Sequence, residues 1–147
     1  MEEKIIEVPV YKQVAKGTKK VTVFVAYDGT EHRTKNQCNK HEEYNKREDI
    51  FESIKVIKDH SISDKIPFYW YHIENDEQLQ EIKRRQDTYR NSRHVYYHGE
   101  NSENLAIGDW VGWTNEDGGD YGKNSYYFYT LNDVKKEYEE FMVAFTE

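Results

Sequence analysis

The chain has 147 residues, 33% of them charged, with 21 Lys and Arg against 28 Asp and Glu, a formal net charge of −7 and a mean hydropathy of −1.08. That length suits a single domain, 1–147, with a core of its own, and the longest apolar-leaning run, 66–73, is far too short to span a bilayer. The start MEEKIIEV does not read as a secretory signal, and Cys38, the only cysteine, excludes an internal disulfide and fits a reducing compartment.

Such polarity would suggest disorder if aromatics were scarce, but the chain holds 13 Tyr, 6 Phe and 3 Trp. Its only leucines are Leu79, Leu105 and Leu131. The core must come from aromatic and β-branched side chains, which favours a sheet.

In chain order, Ile5–Val14 reads as a strand that Pro9 confines to an edge or a bulge. Lys16–Lys20 (KGTKK) reads as a turn. Val21–Tyr27 alternates Val21, Val23 and Val25 with Thr22, Phe24 and Ala26, the pattern of a strand. Asp28-Gly29 then signals a hairpin, with Thr30–Arg33 returning. Thr34 and Gln37 have the spacing of a capping box, and a helix is expected from Lys35 to about Ile57. Pro67–Ile73 reads as an aromatic strand. Asn75 caps a helix through Tyr89, and His94–His98 is a short strand followed by a polar loop, Gly99–Asn104. Asp109–Thr114 and Ser125–Tyr129 form a hairpin about the turn NEDGGDYGKN. Thr130 caps the last helix, where Leu131, Val134, Tyr138, Phe141, Met142 and Phe145 recur at offsets 0, 3, 7, 10, 11 and 14, an amphipathic stripe. Residues 21–51 and 110–141 echo one another as strand, Asp-Gly turn, strand, Thr cap and helix. The expected class is α+β: a mainly antiparallel twisted sheet with about three helices packed on one face, built from hairpin-helix units.

Candidate chemistry is sparse. His32, Cys38 and His41 could supply three zinc ligands, yet a structural zinc site normally takes four and no fourth is evident. His94 and His98 flank Tyr96 on one strand face and His72 could join them, with no partner to fix a catalytic cluster. Glu116, Asp117 and Asp120 crowd a glycine-rich turn near Asp109 without the ligand series of a calcium loop. Lys83, Arg84, Arg85, Arg90 and Arg93 form a basic stretch broken by Asp87, readable as cations near a helix C-terminus, so direct nucleic-acid binding is not expected. No catalytic residue, metal ligand or cofactor is assigned.

Charge is distributed unevenly. Residues 99–147 hold eleven carboxylates against three lysines, a balance of −8, while residues 1–98 hold eighteen Lys and Arg against seventeen Asp and Glu, a balance of +1. The acidic end is interleaved with aromatics. Such asymmetry speaks about partners rather than fold, and a basic surface on another macromolecule is the natural counterpart.

The segment Phe24–Tyr44 resembles a short module common in small accessory proteins of phages and prophages. The positions that carry the resemblance are Phe24, Ala26, Asp28, Gly29, Thr34, Cys38, His41 and Glu42, and the ending 108–141 is similar to endings seen in such proteins. Proteins of this class include inhibitors of host enzymes and of antiviral defences such as CRISPR nucleases. The resemblance therefore implies a protein-binding inhibitor in the cytoplasm of an infected or lysogenic bacterium. Its partner would be a host or defence protein with a basic surface, with no role for a membrane. Asp109, Glu116, Asp117 and Asp120 would stand in for phosphates toward Arg and Lys, with Trp110, Trp113 and Tyr121 as anchors. Two alternatives remain at this level: a small metal-dependent hydrolase or nucleotide-processing enzyme, and a structural or homo-oligomeric phage protein. The sequence leaves oligomeric state open.

Overall fold

The computed structural model describes residues 1–11, 15–58, 69–118 and 122–146, with side chains described outside 8–11 and 15–19. The fold is α+β, with strands in two mostly antiparallel sheets. The chain divides into two compact units, Met1–Asp49 and Ile50–Glu147.

In the first unit, β1 (Glu2–Tyr11) and β2 (Ala15–Val25) pair antiparallel from Glu2 opposite Val25 onward. The register slips between Pro9 and Tyr11, where proline lacks the N–H a ladder needs. The expected turn at 16–20 is instead strand: Lys20, Lys19 and Thr18 lie opposite Glu7, Val8 and Pro9. Cross-strand pairing overrides the turn-like composition there. Gly29 makes the expected turn at φ +87°, a left-handed conformation that costs glycine little. It leads to β3 (Glu31–His32), which pairs back on β2. Thr34 Oγ1 accepts a hydrogen bond from Gln37 N at 3.2 Å at the start of α1 (Lys35–Glu52).

That helix ends five residues before the expected Ile57, and Lys55–Ile57 forms β4 instead. The second unit orders its sheet β4-β5-β7-β8-β6, with β5 at Tyr69–His72, β6 at Val95–Gly99, β7 at Trp110–Glu116 and β8 at Asn124–Thr130. All pairs are antiparallel except β6 with β8. α2 (Asp76–Arg90) starts where Asn75 Oδ1 accepts from Gln78 N at 3.0 Å, and α3 (Leu131–Val143) starts with a full capping box between Thr130 and Asp133.

The core gathers Ile54, Ile73, Leu79, Ile82, Leu105, Val111, Tyr126 and Phe128, flanked by Phe51, Tyr71, Val95, Tyr97 and Trp113. Leu79 and Ile82 come from α2, so α2 covers the sheet face that carries Val111, Tyr126 and Phe128. Alternation turns Trp110, Gly112, Thr114, Tyr127 and Tyr129 to the opposite face, where Tyr129 shares a cleft with α3 residues. The helices thus take different faces of this sheet. Among the described residues no helix is long and apolar enough to cross a membrane.

Candidate protein-binding surface

The expected site residues separate according to strand alternation. Trp110 stacks on His72 with ring centroids 4.7 Å apart, and the Lys55 ammonium lies 5.7 Å from the indole. Trp113, three residues on, faces the core. It stacks on Tyr71 at 4.5 Å and 8° and meets Phe51 and Phe128. Asp109 is committed locally: its carboxylate accepts from Ala106 N at 2.8 Å and its carbonyl from Ile73 N at 3.0 Å. Glu116 ends β7 opposite Ser125, on the Trp110 face, and Asp117 follows it in an exposed position. Asp120 and Tyr121 lie outside the described residues.

The acidic character concentrates one strand over. Glu100, Asp133, Glu137 and Glu140, with Gly99 and Lys136, line a cleft of about 300 Å³ in which Tyr129 is the aromatic wall. Burial raises the Tyr129 hydroxyl above its ordinary pKa. The negative charge of Glu137, then Tyr127, Glu116 and Asp133 acts in the same direction. Within the cleft Asp133 is held by Thr130, whose N and Oγ1 donate to its Oδ2 at 2.7 and 2.6 Å. Glu140 lies 3.9 Å from the exposed Lys136 ammonium, a pair too solvated to cancel much charge. Sequence reasoning passed over this group, although Asp133, Glu137 and Glu140 stand at offsets 0, 4 and 7, one face of a helix. Beside the cleft, His98 stacks on Tyr127 at 4.7 Å, extending the aromatic face to the edge strand.

The other candidate clusters resolve into structural contacts. Among the described residues no three His, Cys, Asp or Glu side chains gather as a metal site would require. His32 and His41 rings are 4.8 Å apart, but Cys38 is fully buried, and burial, then Glu42, pushes its thiol up. Asp28 fastens the hairpin to α1: its Oδ1 accepts from Thr30 N at 3.0 Å, and its Oδ2 bonds His41 Nε2 at 2.7 Å and Asn45 Nδ2 at 2.9 Å. The Thr30 N–H and then His41 hold the Asp28 carboxyl far below the usual carboxylate range. Of the basic stretch, Arg84 and Arg85 bind the buried Glu81, and the Arg85 guanidinium lies 3.8 Å from the Phe51 ring centroid. Arg90 donates to Asn101 Oδ1 at 2.7 Å. These cations serve the fold of the second unit.

No protein-family model, curated protein or solved structure matches the chain.

Proposed function

We propose that this chain is a protein-binding inhibitor of phage or prophage origin. It occupies a basic surface on a host or antiviral-defence enzyme that handles nucleic acid, within the cytoplasm of the infected bacterium. The observation that carries the reading is the gathering of Glu100, Asp133, Glu137 and Glu140 about Tyr129 in one cleft. An Arg or Lys side chain entering there meets several acceptors and an aromatic wall, the combination that favours guanidinium and ammonium groups. Trp110 and the stacked Tyr127 and His98 extend the contact along the same sheet face, and long-range attraction accelerates the encounter.

The test couples capture to inhibition. The tagged protein, incubated with host lysate, retains a nucleic-acid-processing enzyme that elutes at roughly 0.5 M salt, where screening reaches only a few ångström. The purified pair shows loss of that enzyme's activity, and Glu137→Lys with Glu140→Lys abolishes both capture and inhibition. Retention that survives high salt and is indifferent to the charge reversals refutes the reading.

A further inference from the structure

The last helix carries more apolar surface than the fold uses. The Thr130–Asp133 capping box fixes the start of α3 at the end of β8, and Val134 is buried at 7% exposure. Beyond it the same stripe continues uncovered: Tyr138, Phe141, Met142, Val143 and Phe145 are 41–70% exposed. Tyr138, Phe141 and Met142 sit at offsets 0, 3 and 4, the spacing by which one helix face engages a partner, and Phe145 follows in the turn after the helix, where its N–H donates to the Met142 carbonyl at 3.1 Å. The Phe141 and Phe145 rings are already in contact, 5.1 Å apart.

We propose that this half of α3, with the turn that follows it, is a docking stripe for an amphipathic basic helix of the partner protein, packed lengthwise along Tyr138, Phe141, Met142 and Phe145. The inference rests on the reading of a basic partner and adds an apolar contact to the Tyr129 cleft. Charge selects the occupant. At helical spacing Glu137 borders the stripe on one side and Glu139 on the other, with Lys135 one turn earlier on the Glu139 side, so an approaching helix with Lys or Arg beside its apolar face pairs with Glu137 along one edge and with Glu139 toward the end of α3. An anionic bilayer meets those same glutamates unfavourably. A second copy brings the same Glu137 and Glu139 and its own net charge of −7. Area points the same way. Roughly half of each aromatic or Met surface, some 100 Å² apiece, gives about 400–500 Å², short of the ~800 Å² per partner of a standard interface. The remainder must come from the charged borders, which a basic partner complements and a second copy repels.

The probe is a synthetic helix of about 18 residues built from leucine and lysine, with leucine at 3–4 residue spacing. It is titrated calorimetrically into the full chain at low salt. Wild type binds it, and Phe141→Glu with Phe145→Glu, both at exposed positions, weakens binding at least tenfold, with Phe141→Ala and Phe145→Ala weakening it less. The sign is decisive, because attraction by net charge alone would make the more acidic Glu variant bind more tightly. An unchanged or tighter Glu variant, no binding by wild type, wild-type dimers in light scattering that the Glu variant dissolves, or wild-type binding to phosphatidylserine vesicles each overturns the proposal. A companion peptide with every leucine replaced by serine separates the two claims. If it binds wild type as well as the leucine peptide does, and Glu137→Lys abolishes both, the basic-partner reading stands and the stripe fails. If neither peptide responds to Glu137→Lys, the electrostatic reading itself fails.

Discussion

Trp110 and Trp113 are three residues apart on β7, yet the two faces of the sheet assign them opposite roles, and alanine substitution separates them. Trp113 stacks on Tyr71 at 4.5 Å and touches Phe51 and Phe128 beside the core cluster. Full burial of a tryptophan makes its truncation cost about 3–5 kcal/mol. Trp113 is only partly buried, so about 2–4 kcal/mol is expected. The second unit spans 98 residues, Ile50–Glu147, for which each kcal/mol lowers Tm by about 4–8 °C. A mid-range loss of about 3 kcal/mol therefore corresponds to roughly 12–24 °C. Trp110 stacks on His72 with a lysine alongside, contacts worth about 1 kcal/mol together when half solvated. Urea and thermal melts followed by far-UV circular dichroism should show Trp113→Ala strongly destabilised, and Trp110→Ala close to wild type while losing partner affinity. Equal destabilisation by the two substitutions, or a larger effect at Trp110, would refute the assignment of faces.

Three other outcomes follow from single contacts. The Asp28 carboxyl is held below its ordinary range only in the folded chain, so the stability it contributes is complete above that range and is lost as pH falls through and beneath it; the gap between wild type and Asp28→Asn in melts should be wide at pH 7 and close in acid, and a pH-independent gap contradicts it. Glu81 is 3% exposed between Arg84 and Arg85. Burial raises its pKa, but the two arginines outweigh burial and hold it below the usual value. Glu81→Gln should thus cost about 2 kcal/mol at neutral pH, with the difference shrinking below the ordinary carboxylate range; no change in urea midpoint at pH 7 would count against it. Gly99 has φ +123° and a Cβ there would collide with the Phe128 carbonyl, so Gly99→Ala should disturb the β6–β8 pairing and cost about 2 kcal/mol or more, visible as faster amide exchange at Glu100, whose N–H donates to the Phe128 carbonyl at 3.4 Å; unchanged protection would refute it.

What the sequence disclosed was mostly local. Asn75, Thr130 and Gly29 announce their caps and turn because each satisfies a neighbouring N–H or adopts a backbone few residues tolerate. Features fixed by distant partners were illegible. KGTKK looks like a turn until Glu7, Val8 and Pro9 lie opposite it. Lys55–Ile57 looks like the tail of a helix until Trp70, Tyr71 and His72 pair with it. The parallel alignment of β6 on β8 has no signature in HVYYH. The candidate surface shows the same division. Composition disclosed the acidic, aromatic C-terminal third, but alternation that sends Trp110 outward and Trp113 inward depends on which face α2 covers. The cleft depends on α3 bringing Asp133 and Glu137 to Tyr129, a tertiary event with only a helical spacing as its trace.

The central claim is that negative potential around Tyr129 engages a positively charged protein surface. Its most direct test is the affinity of the chain for its captured enzyme partner, measured from low salt to about 0.5 M for wild type and for Glu137→Lys with Glu140→Lys. The account predicts an affinity that falls steeply with salt in wild type, and a variant at least tenfold weaker at low salt with a flatter dependence. Affinity that ignores both salt and the charge reversals would contradict it.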